Sequence, residues 1–552
     1  MGIGGIIMKE KEEKNKEMNT FYDILIDKYK GDMKDVAACK INGSLHNLND
    51  KTSGKHEKIE VVPFSSELGM KVYVNTLQFV FIKATLELFP KSKITIQHSF
   101  SKSIYGEIEK KEKLTKAELE KIKTRMKEII KSNKRINIKC VEKNEAIKIF
   151  ESYGMEDKIN LLKYTSIDKV ELYELDGYYD YSYSKIAATT GVLKVFELEE
   201  YLSGFILRRP DIKDLSIIPP LSSQKSLSNI FLETKKWLSI LGIGEVGSLN
   251  KKILDGELQD IIMVSEALHE KKIAKIADEI SEKKDVKIIL IAGPSSSGKT
   301  TFSKRLSIQL RVNGIKPIPL SLDNYFVNRV DTPKDENGEY DFETINALDL
   351  DLLNENLQGL MKGEEVDLPT YDFKKGEKEW TGYKEKLPEN GVLILEGIHG
   401  LNPNLISKKL NNNVFKIYIS ALTQLNIDNH NRISTTDSRK VRRIVRDSLS
   451  RGYAAEDTLK MWPSIKRGEN KNIFIYQEEA DAMFNSTLVY EACVLKPYAL
   501  KELNKIKNDS PVYAEAERLK TFLSLFEEID IKHAPANSLL REFIGGSCFY
   551  EY

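Results

Sequence analysis

The sequence predicts a multidomain protein with α/β and α+β parts, whose C-terminal half contains a parallel sheet and a phosphate loop. Three observations support this fold class. The chain has 552 residues, enough for three or four domains of about 150 residues each. Between residues 287 and 313 an apolar strand pattern, a glycine- and serine-rich loop and a helical pattern follow one another. The first 205 residues mix hairpin, strand and amphipathic helix patterns.

The composition is that of a soluble globular chain, with 30% charged and 41% hydrophobic residues. A net charge of +1 indicates no overall attraction to nucleic acid or membrane. No apolar stretch reaches the roughly 18 residues that a membrane helix needs. The four cysteines form no CxxC pair, which argues against a zinc site and a disulfide framework and favours a reducing cytoplasm. They are Cys39, Cys140, Cys493 and Cys548.

The first 65 residues predict a lead-in followed by a small α+β unit. We expect residues 1–18 to be disordered, and translation can begin at Met1, Met8 or Met18. A short helix starts at Phe21. A strand from Val36 then runs into an Asn-Gly pair, which is typical of a hairpin turn, and residues 58–63 form another strand.

Two helices and a set of strands are expected between residues 66 and 215. Apolar residues recur at helical spacing over residues 71–89, and Pro90 ends that helix. Residues 114–131 place apolar side chains on one face and lysines on the other. Such a basic face can contact RNA or lipid, or can simply be the solvated side of a helix that covers a core. Tyrosine-rich strands follow over residues 170–205. The apolar face consists of Leu119, Ile122, Met126 and Ile129.

Residues 216–284 are interpreted as a linker and a helical bridge. Prolines and serines concentrate over residues 210–225, which is a linker composition. A helical pattern then extends from about Leu227 to Lys284.

The strongest motif is the segment GPSSSGKTT at residues 293–301, which matches GxxxxGK[ST]. It lies between the apolar strand 287–292 and a helix over residues 302–313, the context in which a phosphate loop is found. Backbone N–H groups of such a loop and the helix N-terminus bind phosphates. Lys299 is expected to reach the β- and γ-phosphates of ATP, and the Thr300 hydroxyl to ligate Mg²⁺. The alternative is a chance turn rich in glycine and serine.

Two carboxylates end the strands predicted next. The strand 316–322 leads into Asp323, where ligands bind in parallel sheets. Asp323 can accept a proton from an attacking hydroxyl, bind the metal, or do both, but a helix cap or turn is an equal alternative. The strand 392–395 ends at Glu396, which is a pattern of metal or water ligands near the γ-phosphate. Further strands are predicted at residues 415–419 and 488–490.

Five arginines crowd one predicted helix and its end. Spacings of three and four residues place most of them on a common side. They can close over ATP as a lid and stabilise charge on the transferring phosphoryl group, or form a solvated basic face paired with Asp437 and Asp447. These arginines are Arg439, Arg442, Arg443, Arg446 and Arg451.

Residues 285–500 resemble the uridine kinase/phosphoribulokinase family through several ordered motifs. Beyond the loop, these are LDNYF at residues 322–326, DFETINALD at 341–349, PTYDF at 369–373, LEGI at 395–398 and RRIVRD at 442–447. The resemblance implies a P-loop kinase that transfers the γ-phosphate of ATP to a hydroxyl of a nucleoside or a similar acceptor.

The resemblance also assigns roles residue by residue. Asp323, Lys299 and Arg446 fall on catalytic positions, and Thr300, Asp323 and Glu396 on metal positions. Glu343 falls on the carboxylate for ribose hydroxyls, Tyr371 on an aromatic of the base site and Arg451 on a substrate-side lid arginine. The nucleotide positions are Gly293, Ser295, Ser296, Ser297, Gly298, Lys299, Thr300, Thr301 and Arg443.

Three positions depart from the uridine–cytidine kinases of that family. Where those enzymes have a histidine, an arginine and a glutamine that help to recognise a pyrimidine, this chain has Gly376, Tyr453 and Met461. The departures leave phosphoryl transfer possible and place pyrimidine specificity in doubt.

The first half resembles the N-terminal part of threonyl-tRNA synthetase. Residues 19–65 are similar to its TGS domain, a β-grasp unit. The segment LELFP at residues 86–90 and the pair Thr190-Gly191 look like pieces of its editing domain, so residues 66–215 are expected to resemble that domain. The histidine and cysteine motifs of that editing domain fall on Asn75 and Phe79 and on Ser182 and Ile186, and His98 is expected to pack or to be exposed. The resemblance implies an inactive editing-like domain that can bind a ligand, contact RNA or support homo-oligomerisation.

The favoured interpretation is an ATP- and Mg²⁺-dependent kinase domain at residues 285–500, followed by a helical tail at 501–552. A nucleotide or pyrophosphate hydrolase and an ATP-gated RNA-binding regulatory protein are the alternatives. The carboxylates Asp323 and Glu343 favour the kinase.

Overall fold

The computed structural model describes residues 20–28, 33, 35–52, 59–100, 102–221, 224–334, 338, 340–372, 374–408, 410 and 413–550. The predicted lead-in, residues 1–18, lies outside this part of the chain, as does Lys58 at the start of a predicted strand. Across the described ranges no helix is both long and apolar enough to cross a membrane.

The first 221 residues alternate helices and strands. In chain order these are α1 (Phe21–Lys28), β1 (Val36–Ile41), β2 (Ser44–His46), β3 (Glu60–Pro63), α2 (Glu67–Leu88), β4 (Lys93–Phe100), β5 (Ser103–Glu109), α3 (Lys116–Lys131), β6 (Asn137–Glu142), α4 (Lys143–Tyr153), α5 (Glu156–Lys163), β7 (Lys169–Leu175), β8 (Tyr178–Tyr181), β9 (Glu197–Tyr201) and β10 (Gly204–Arg208).

The following residues build three helices and then an alternating α/β region. In order these are α6 (Lys225–Leu241), α7 (Val246–Leu254), α8 (Leu258–Glu282), β11 (Ile288–Ala292), α9 (Lys299–Val312), β12 (Lys316–Ser321), α10 (Leu350–Met361), β13 (Glu365–Asp367), β14 (Thr370–Asp372), β15 (Glu377–Glu379), β16 (Lys384–Lys386), β17 (Gly391–Glu396), β18 (Val414–Ser420), α11 (Thr435–Arg446), α12 (Ala455–Asn472), β19 (Ala482–Asn485), α13 (Glu491–Leu503), α14 (Tyr513–Ser524) and α15 (Arg541–Ile544).

The chain forms two compact units. Unit 1 contains residues up to 222 together with 426–432 and 507–525, and unit 2 contains the remaining residues from 223 onwards. The contiguous domain boundaries drawn from the sequence stay predictions.

Unit 1 is an α+β assembly of three antiparallel sheets. Their strand orders are β2-β1-β3, β4-β5-β10-β9 and β6-β7-β8. The predicted hairpin is present, with Asn42 and Gly43 in left-handed backbone conformations at the turn. The apolar face predicted for α3 is confirmed, because Leu119, Ile122 and Met126 are buried in the main core of the unit.

A buried ion cluster ties the segment 426–432 into unit 1. The ammonium of Lys158, 1% exposed, is 3.0 Å from Asp180 and 2.9 Å from Asp428. His430 Nδ1 is 2.7 Å from the other oxygen of Asp180. Because buried charges are tolerated only when they are paired, this cluster specifies where the segment docks.

Unit 2 is built on a five-stranded parallel sheet of order β12-β17-β11-β18-β19. All five residues of the central strand β11 are buried, as its uninterrupted apolar sequence predicts. The helical bridge predicted for residues 227–284 is present as α6, α7 and α8.

The strand predicted at Leu488–Tyr490 is wrong. The last strand of the sheet is β19, and Leu488 and Tyr490 lie in the turn before α13. The Leu488 N–H donates to the carboxylate of Glu491 at 2.9 Å, so it is used to cap the start of a helix and not in a strand ladder. A run of three apolar residues does not distinguish a strand from a buried turn.

Candidate active site

The phosphate loop follows the central strand of the parallel sheet. Strand β11 ends at Ala292, and α9 begins at Lys299. Ser296 and Gly298 have positive φ angles of 59° and 88°, which turn the backbone of the loop back on itself. A non-glycine residue in this conformation is strained, and such strain is concentrated at functional sites. The strand–loop–helix context predicted for the motif is therefore present.

Lys299 is folded back across its own loop. Its Nζ donates to the carbonyls of Gly293 at 3.0 Å and Pro294 at 3.3 Å. These contacts hold the ammonium over the concave side of the loop, where it can attract an anion.

The predicted metal ligands lie at neighbouring strand ends. The Thr300 hydroxyl, at the start of α9, donates to Glu396 Oε1 at 3.3 Å. Glu396 ends β17, and the Ser321 hydroxyl at the end of the adjacent β12 lies 3.4 Å from the same oxygen. Asp323 follows two residues later in a short 3₁₀ turn. The sheet thus brings Thr300, Asp323 and Glu396 to one edge.

The buried acids at this edge of the sheet are only partly neutralised by Lys299, and the pKa of Glu396 shows this. Desolvation and, to a smaller extent, the negative charge of Asp323 raise the pKa of Glu396 to about 7, although Lys299 and the Thr300 hydrogen bond lower it. A hydroxyl with two carboxylates is a hard oxygen donor set, the kind that Mg²⁺ prefers. The described residues contain no group of three or more His, Cys, Asp or Glu side chains arranged to hold a metal alone. The site fits a magnesium ion that takes its other ligands from water and phosphate.

Two of the predicted lid arginines have structural partners. Arg439 forms a bidentate pair with Glu469, at 2.5 and 2.7 Å, and donates to the carbonyl of Ser295 at 3.1 Å. Arg442 pairs with Glu491 at 2.6 Å and donates to the Ser296 carbonyl at 3.3 Å. Both guanidinium groups are buried, so this face of α11 is not a solvated basic face. The two arginines therefore support the phosphate loop through hydrogen bonds to its backbone carbonyls.

The other three arginines surround Asp447. Arg443 Nε lies 3.0 Å and Arg446 Nη2 2.8 Å from its carboxylate, whereas Arg451 is 3.9 Å away and half-exposed. Arg443 also donates to the Ser295 hydroxyl at 2.5 Å. Arg443 therefore reaches the phosphate loop, and Arg446 and Arg451 lie around the same carboxylate of Asp447.

Glu343 lies against α12, and charged groups at the phosphate loop act on its carboxylate although they are distant in sequence. The Asn472 amide donates to the Glu343 carbonyl at 2.6 Å. Desolvation and, to a smaller extent, the charge of Glu469 raise the pKa of the Glu343 carboxyl to about 7, although Arg443 and Lys299 lower it. These neighbours place the carboxylate among the groups of the loop.

Tyr371 and two of the positions that depart from the uridine–cytidine kinases, Gly376 and Tyr453, lie outside the phosphate loop. Tyr371 lies in β14 with its ring 5.8 Å from that of Phe326. Gly376 has a φ of 76°, and a Cβ at this position would lie 2.8 Å from Arg329 Nε, so the arginine side chain covers the glycine. Tyr453 is 48% exposed. The position where a pyrimidine-reading histidine was absent is therefore covered by the side chain of Arg329.

Sequence reasoning missed two residues that hold the site. Glu469 accepts the Ser295 N–H at 2.9 Å as well as pairing with Arg439. Ser321 contacts Glu396, and its position at the end of a strand beside Asp323 was a usable signal. Nothing in the sequence around Glu469 indicates its role, because the contact joins residues 174 positions apart.

The four positions aligned with the editing motifs divide between the core of unit 1 and a cleft, and none of them has the chemistry of an editing site. Phe79 and Ile186 are each 3% exposed and pack in the core, and His98 is buried against Tyr105, as expected for a packing residue. Asn75 and Ser182 line a cleft of about 470 Å³. The cleft also contains Lys71, Lys169, Lys185 and Arg518. Glu171 and Glu517 line it as well, and Lys185 lies 3.6 Å from Glu171, so the lining is mixed in charge.

A parallel sheet with a phosphate loop after its central strand and acids at the adjacent strand ends defines a P-loop kinase fold. Residues 288–489 match the model of the phosphoribulokinase / uridine kinase family. A uridine kinase of Staphylococcus epidermidis is 30% identical over 182 residues, which cover 33% of this chain and 77% of that protein. The chain belongs to the phosphoribulokinase / uridine kinase family.

The N-terminal part is similar to other proteins. A threonine–tRNA ligase of Wolbachia sp. subsp. Drosophila simulans is 30% identical over 176 residues, or 31% of this chain. The match spans only 27% of that ligase. The TGS and editing-domain arrangement and the activity of the whole chain therefore remain proposals.

Solved structures give weak likenesses. A possible uridine kinase from Bacillus stearothermophilus has 21% identity and a TM-score of 0.23, covering 36% of this chain and 89% of its own. A D-glycerate 3-kinase from Cryptococcus neoformans var. grubii has 15% identity and a TM-score of 0.23, covering 46% and 87%. At these scores neither adds to the family assignment.

Proposed function

We propose that this chain is an ATP- and Mg²⁺-dependent kinase that transfers the γ-phosphate to a hydroxyl of a nucleoside or a related small molecule. One observation carries the proposal. The Thr300 hydroxyl of the phosphate loop meets Glu396 at 3.3 Å, beside Asp323 at the end of the neighbouring strand. Groups suited to bind phosphate, hold a metal and accept a proton thus converge at one sheet edge.

The loop binds ATP in this proposal. Backbone N–H groups of residues 293–301 and the start of α9 bind the phosphates, and Lys299 and Arg443 add positive charge. Thr300, Asp323 and Glu396 would hold Mg²⁺, which supplies charge neutralisation to the phosphate oxygens when it is bound.

Asp323 acts as the general base. It accepts the proton of the acceptor hydroxyl while the acceptor oxygen attacks the γ-phosphorus. The bond from the γ-phosphorus to the bridging oxygen of ADP breaks, and ADP leaves with that electron pair. Arg446 stabilises the charge that develops on the transferring group.

The acceptor is bound on the other side of the transferring phosphate. Glu343 accepts hydrogen bonds from vicinal hydroxyls, Tyr371 stacks on a ring, and Arg451 approaches from the lid. Gly376, Tyr453 and Met461 lack the groups that read a pyrimidine, and a site without such donors and acceptors cannot strongly select one through them. We therefore expect uridine and cytidine to be poor substrates or not to be distinguished from purine nucleosides.

The decisive experiment is a screen of nucleosides and sugars with ATP, scored by ADP release and by the phosphorylated product. The active acceptor is then tested with Lys299→Ala, which should lower turnover by roughly 10²-fold because the positive charge that stabilises the transferring phosphoryl group is lost. Lys316→Ala is the matched control, since this exposed lysine lies at the opposite end of β12.

Two results would contradict the proposal. Turnover by Lys299→Ala close to that of the unaltered protein would remove the loop as the active site. Efficient phosphorylation of uridine, with purine nucleosides rejected, would contradict the loss of pyrimidine specificity while leaving the kinase intact.

Two other functions are separable by the same assays. A nucleotide or pyrophosphate hydrolase would release phosphate at full rate without an acceptor. An ATP-gated RNA-binding regulatory protein is favoured by one observation, the similarity of the N-terminal part to a threonine–tRNA ligase. Weak nucleoside turnover with tight, ATP-dependent RNA binding would support it.

Free thiols at all four cysteines fit the proposed cytoplasmic location, and homo-oligomerisation stays a prediction.

A further inference from the structure

The C-terminal residues 534–550, here called the C-terminal segment, pack within unit 2 in a defined conformation. The guanidinium of Arg541 donates to the carbonyls of Ala534 at 3.2 Å and Ile531 at 3.0 Å, which fixes the bend before α15. The ring of Phe543 lies 5.0 Å from the guanidinium of Arg442, the buried arginine behind the phosphate loop. The segment is therefore anchored beside the loop.

Three residues of the C-terminal segment contact the phosphate loop itself. Glu542 Oε2 accepts the backbone N–H of Thr301 at 3.0 Å. The Tyr550 hydroxyl is 2.7 Å from the Thr301 hydroxyl. Leu539 lies so close to Gly298 that a Cβ on the glycine would be 2.5 Å from its Cδ2. Thr301 is fully buried as a result of this packing.

The backbone N–H of Thr301, which Glu542 occupies, belongs to the set of N–H groups that bind nucleotide phosphates in a phosphate loop. Helix α9 begins at Lys299 with Gly298 as its N-cap, a residue with no side chain to accept the free N–H groups of the first turn. In a phosphate loop these N–H groups, and the helix N-terminus that they belong to, bind the α- and β-phosphates. The Thr301 N–H is in the first turn, and a carboxylate already satisfies it.

Glu542 is also an electrostatic competitor. Its side chain is buried, with an overall exposure of 6%, so its charge is little screened. It acts in the same direction as Asp323 in raising the pKa of Glu396, although desolvation and Asp323 contribute more. Phosphate groups arriving at the loop would add negative charge to a site that already contains these acids.

We propose that the C-terminal segment is an autoinhibitory plug, in which Glu542 and Tyr550 occupy the N–H and hydroxyl of Thr301, so that nucleotide binds only when this segment is released. The plug concerns access of nucleotide to the loop and holds for any nucleotide-dependent activity, kinase or hydrolase. The apparent dissociation constant for ATP is the intrinsic constant divided by the fraction of molecules in which the segment is released.

The test measures ATP dissociation constants without an acceptor, by fluorescence of a labelled ATP analogue, so that failure of kinase activity does not affect the readout. Glu542→Gln keeps the shape of the side chain and removes its charge. It should lower the dissociation constant by roughly 10-fold, because the competing anion is lost. Tyr550→Phe should lower it by a smaller factor. Glu528→Gln is the control, since this glutamate is exposed in the same part of the chain.

An unchanged or increased dissociation constant in a Glu542→Gln protein that melts like the unaltered chain would overturn the proposal, since Glu542 would then only support the loop. Hydrogen exchange on the unaltered chain gives an independent measurement that needs no variant. The amides of residues 538–550 should exchange at least several-fold faster when ATP is added. Equal or slower exchange with ATP would also overturn the plug.

Discussion

Arg446 donates two hydrogen bonds to a single oxygen of the adjacent residue Asp447, at 3.0 Å from Nε and 2.8 Å from Nη2. The Asp447 side chain is fully buried. Because Arg443 and Arg451 approach the same carboxylate, one buried acid holds three guanidinium groups, and Arg443 among them contacts Ser295 of the phosphate loop. Asp447 is therefore a positioning residue for the proposed lid.

Replacing this acid should weaken both the fold and the lid. Asp447→Asn leaves the buried guanidinium groups without their counter-charge, and breaking a buried pair in this way costs about 3–5 kcal/mol of unfolding free energy. Urea denaturation measures that loss, and kcat should fall because Arg446 is no longer held. Asp285→Asn, an exposed control, should change neither. An Asp447→Asn protein of normal stability would show that the arginines find other partners.

The second prediction concerns the proposed general base. Asp323→Asn keeps the size of the side chain and loses the proton acceptor, so ATP should still bind while transfer falls by roughly 10²-fold or more. Equilibrium binding and turnover on the same preparation separate the two effects. Asp331→Asn, at an exposed position nearby, is the control. Persistent turnover with weakened ATP binding would leave Asp323 only a role in positioning the metal.

Glu343 should make acceptor binding depend on pH. Desolvation and the charge of Glu469 raise its pKa to about 7. Above that pH the carboxylate is ionised and can accept two hydroxyl hydrogen bonds, and below it the protonated group accepts fewer. The KM of the acceptor should therefore rise as pH falls from 8 to 6. In Glu343→Gln this dependence should disappear, whereas the same rise in the variant would assign it to another group.

The same raised pKa predicts a stability effect of definite sign. A carboxyl whose pKa is higher in the folded state binds its proton more tightly there, so its contribution to stability is complete below its ordinary pKa of 4.5 and is lost as pH rises through about 7. Without nucleotide, the melting temperature of the unaltered chain should fall relative to that of Glu343→Gln between pH 5 and pH 8. A constant difference between the two would contradict the raised pKa.

The editing-like part of unit 1 should not hydrolyse aminoacyl-tRNA. Ester hydrolysis needs groups that move protons, and Phe79 and Ile186 have none, while Asn75 and Ser182 do not titrate near neutral pH. We expect the release of serine from Ser-tRNA by the full chain to match the rate without protein. Catalysed deacylation would contradict this, and its loss in Asn75→Ala or Ser182→Ala would place the activity in the cleft that these two residues line.

Local sequence determined the elements and most of the candidate site. The apolar run of β11, the loop 293–301 and the helix after it follow from patterns that short-range chemistry sets, and each is present. The positions of Asp323 and Glu396 at strand ends were readable for the same reason, because all parallel strands of a sheet present their carboxyl ends at one edge. The short apolar run at 488–490 was misread because three residues contain too little periodicity to identify a strand.

Only the tertiary structure decided which charged residues are paired with other buried side chains to support the candidate site, and which remain close to the phosphate loop as candidates for binding. Arg439 and Arg442 look like the other arginines of α11 in sequence, yet they are buried against Glu469 and Glu491, 30 and 49 residues away. Glu542 meets the loop across 241 residues. Partners so distant in the chain leave no periodic signal, because the pairing depends on how the elements pack and not on the residues next to them. The sequence by itself determined the chemistry available at the loop, and the packing determined what occupies it.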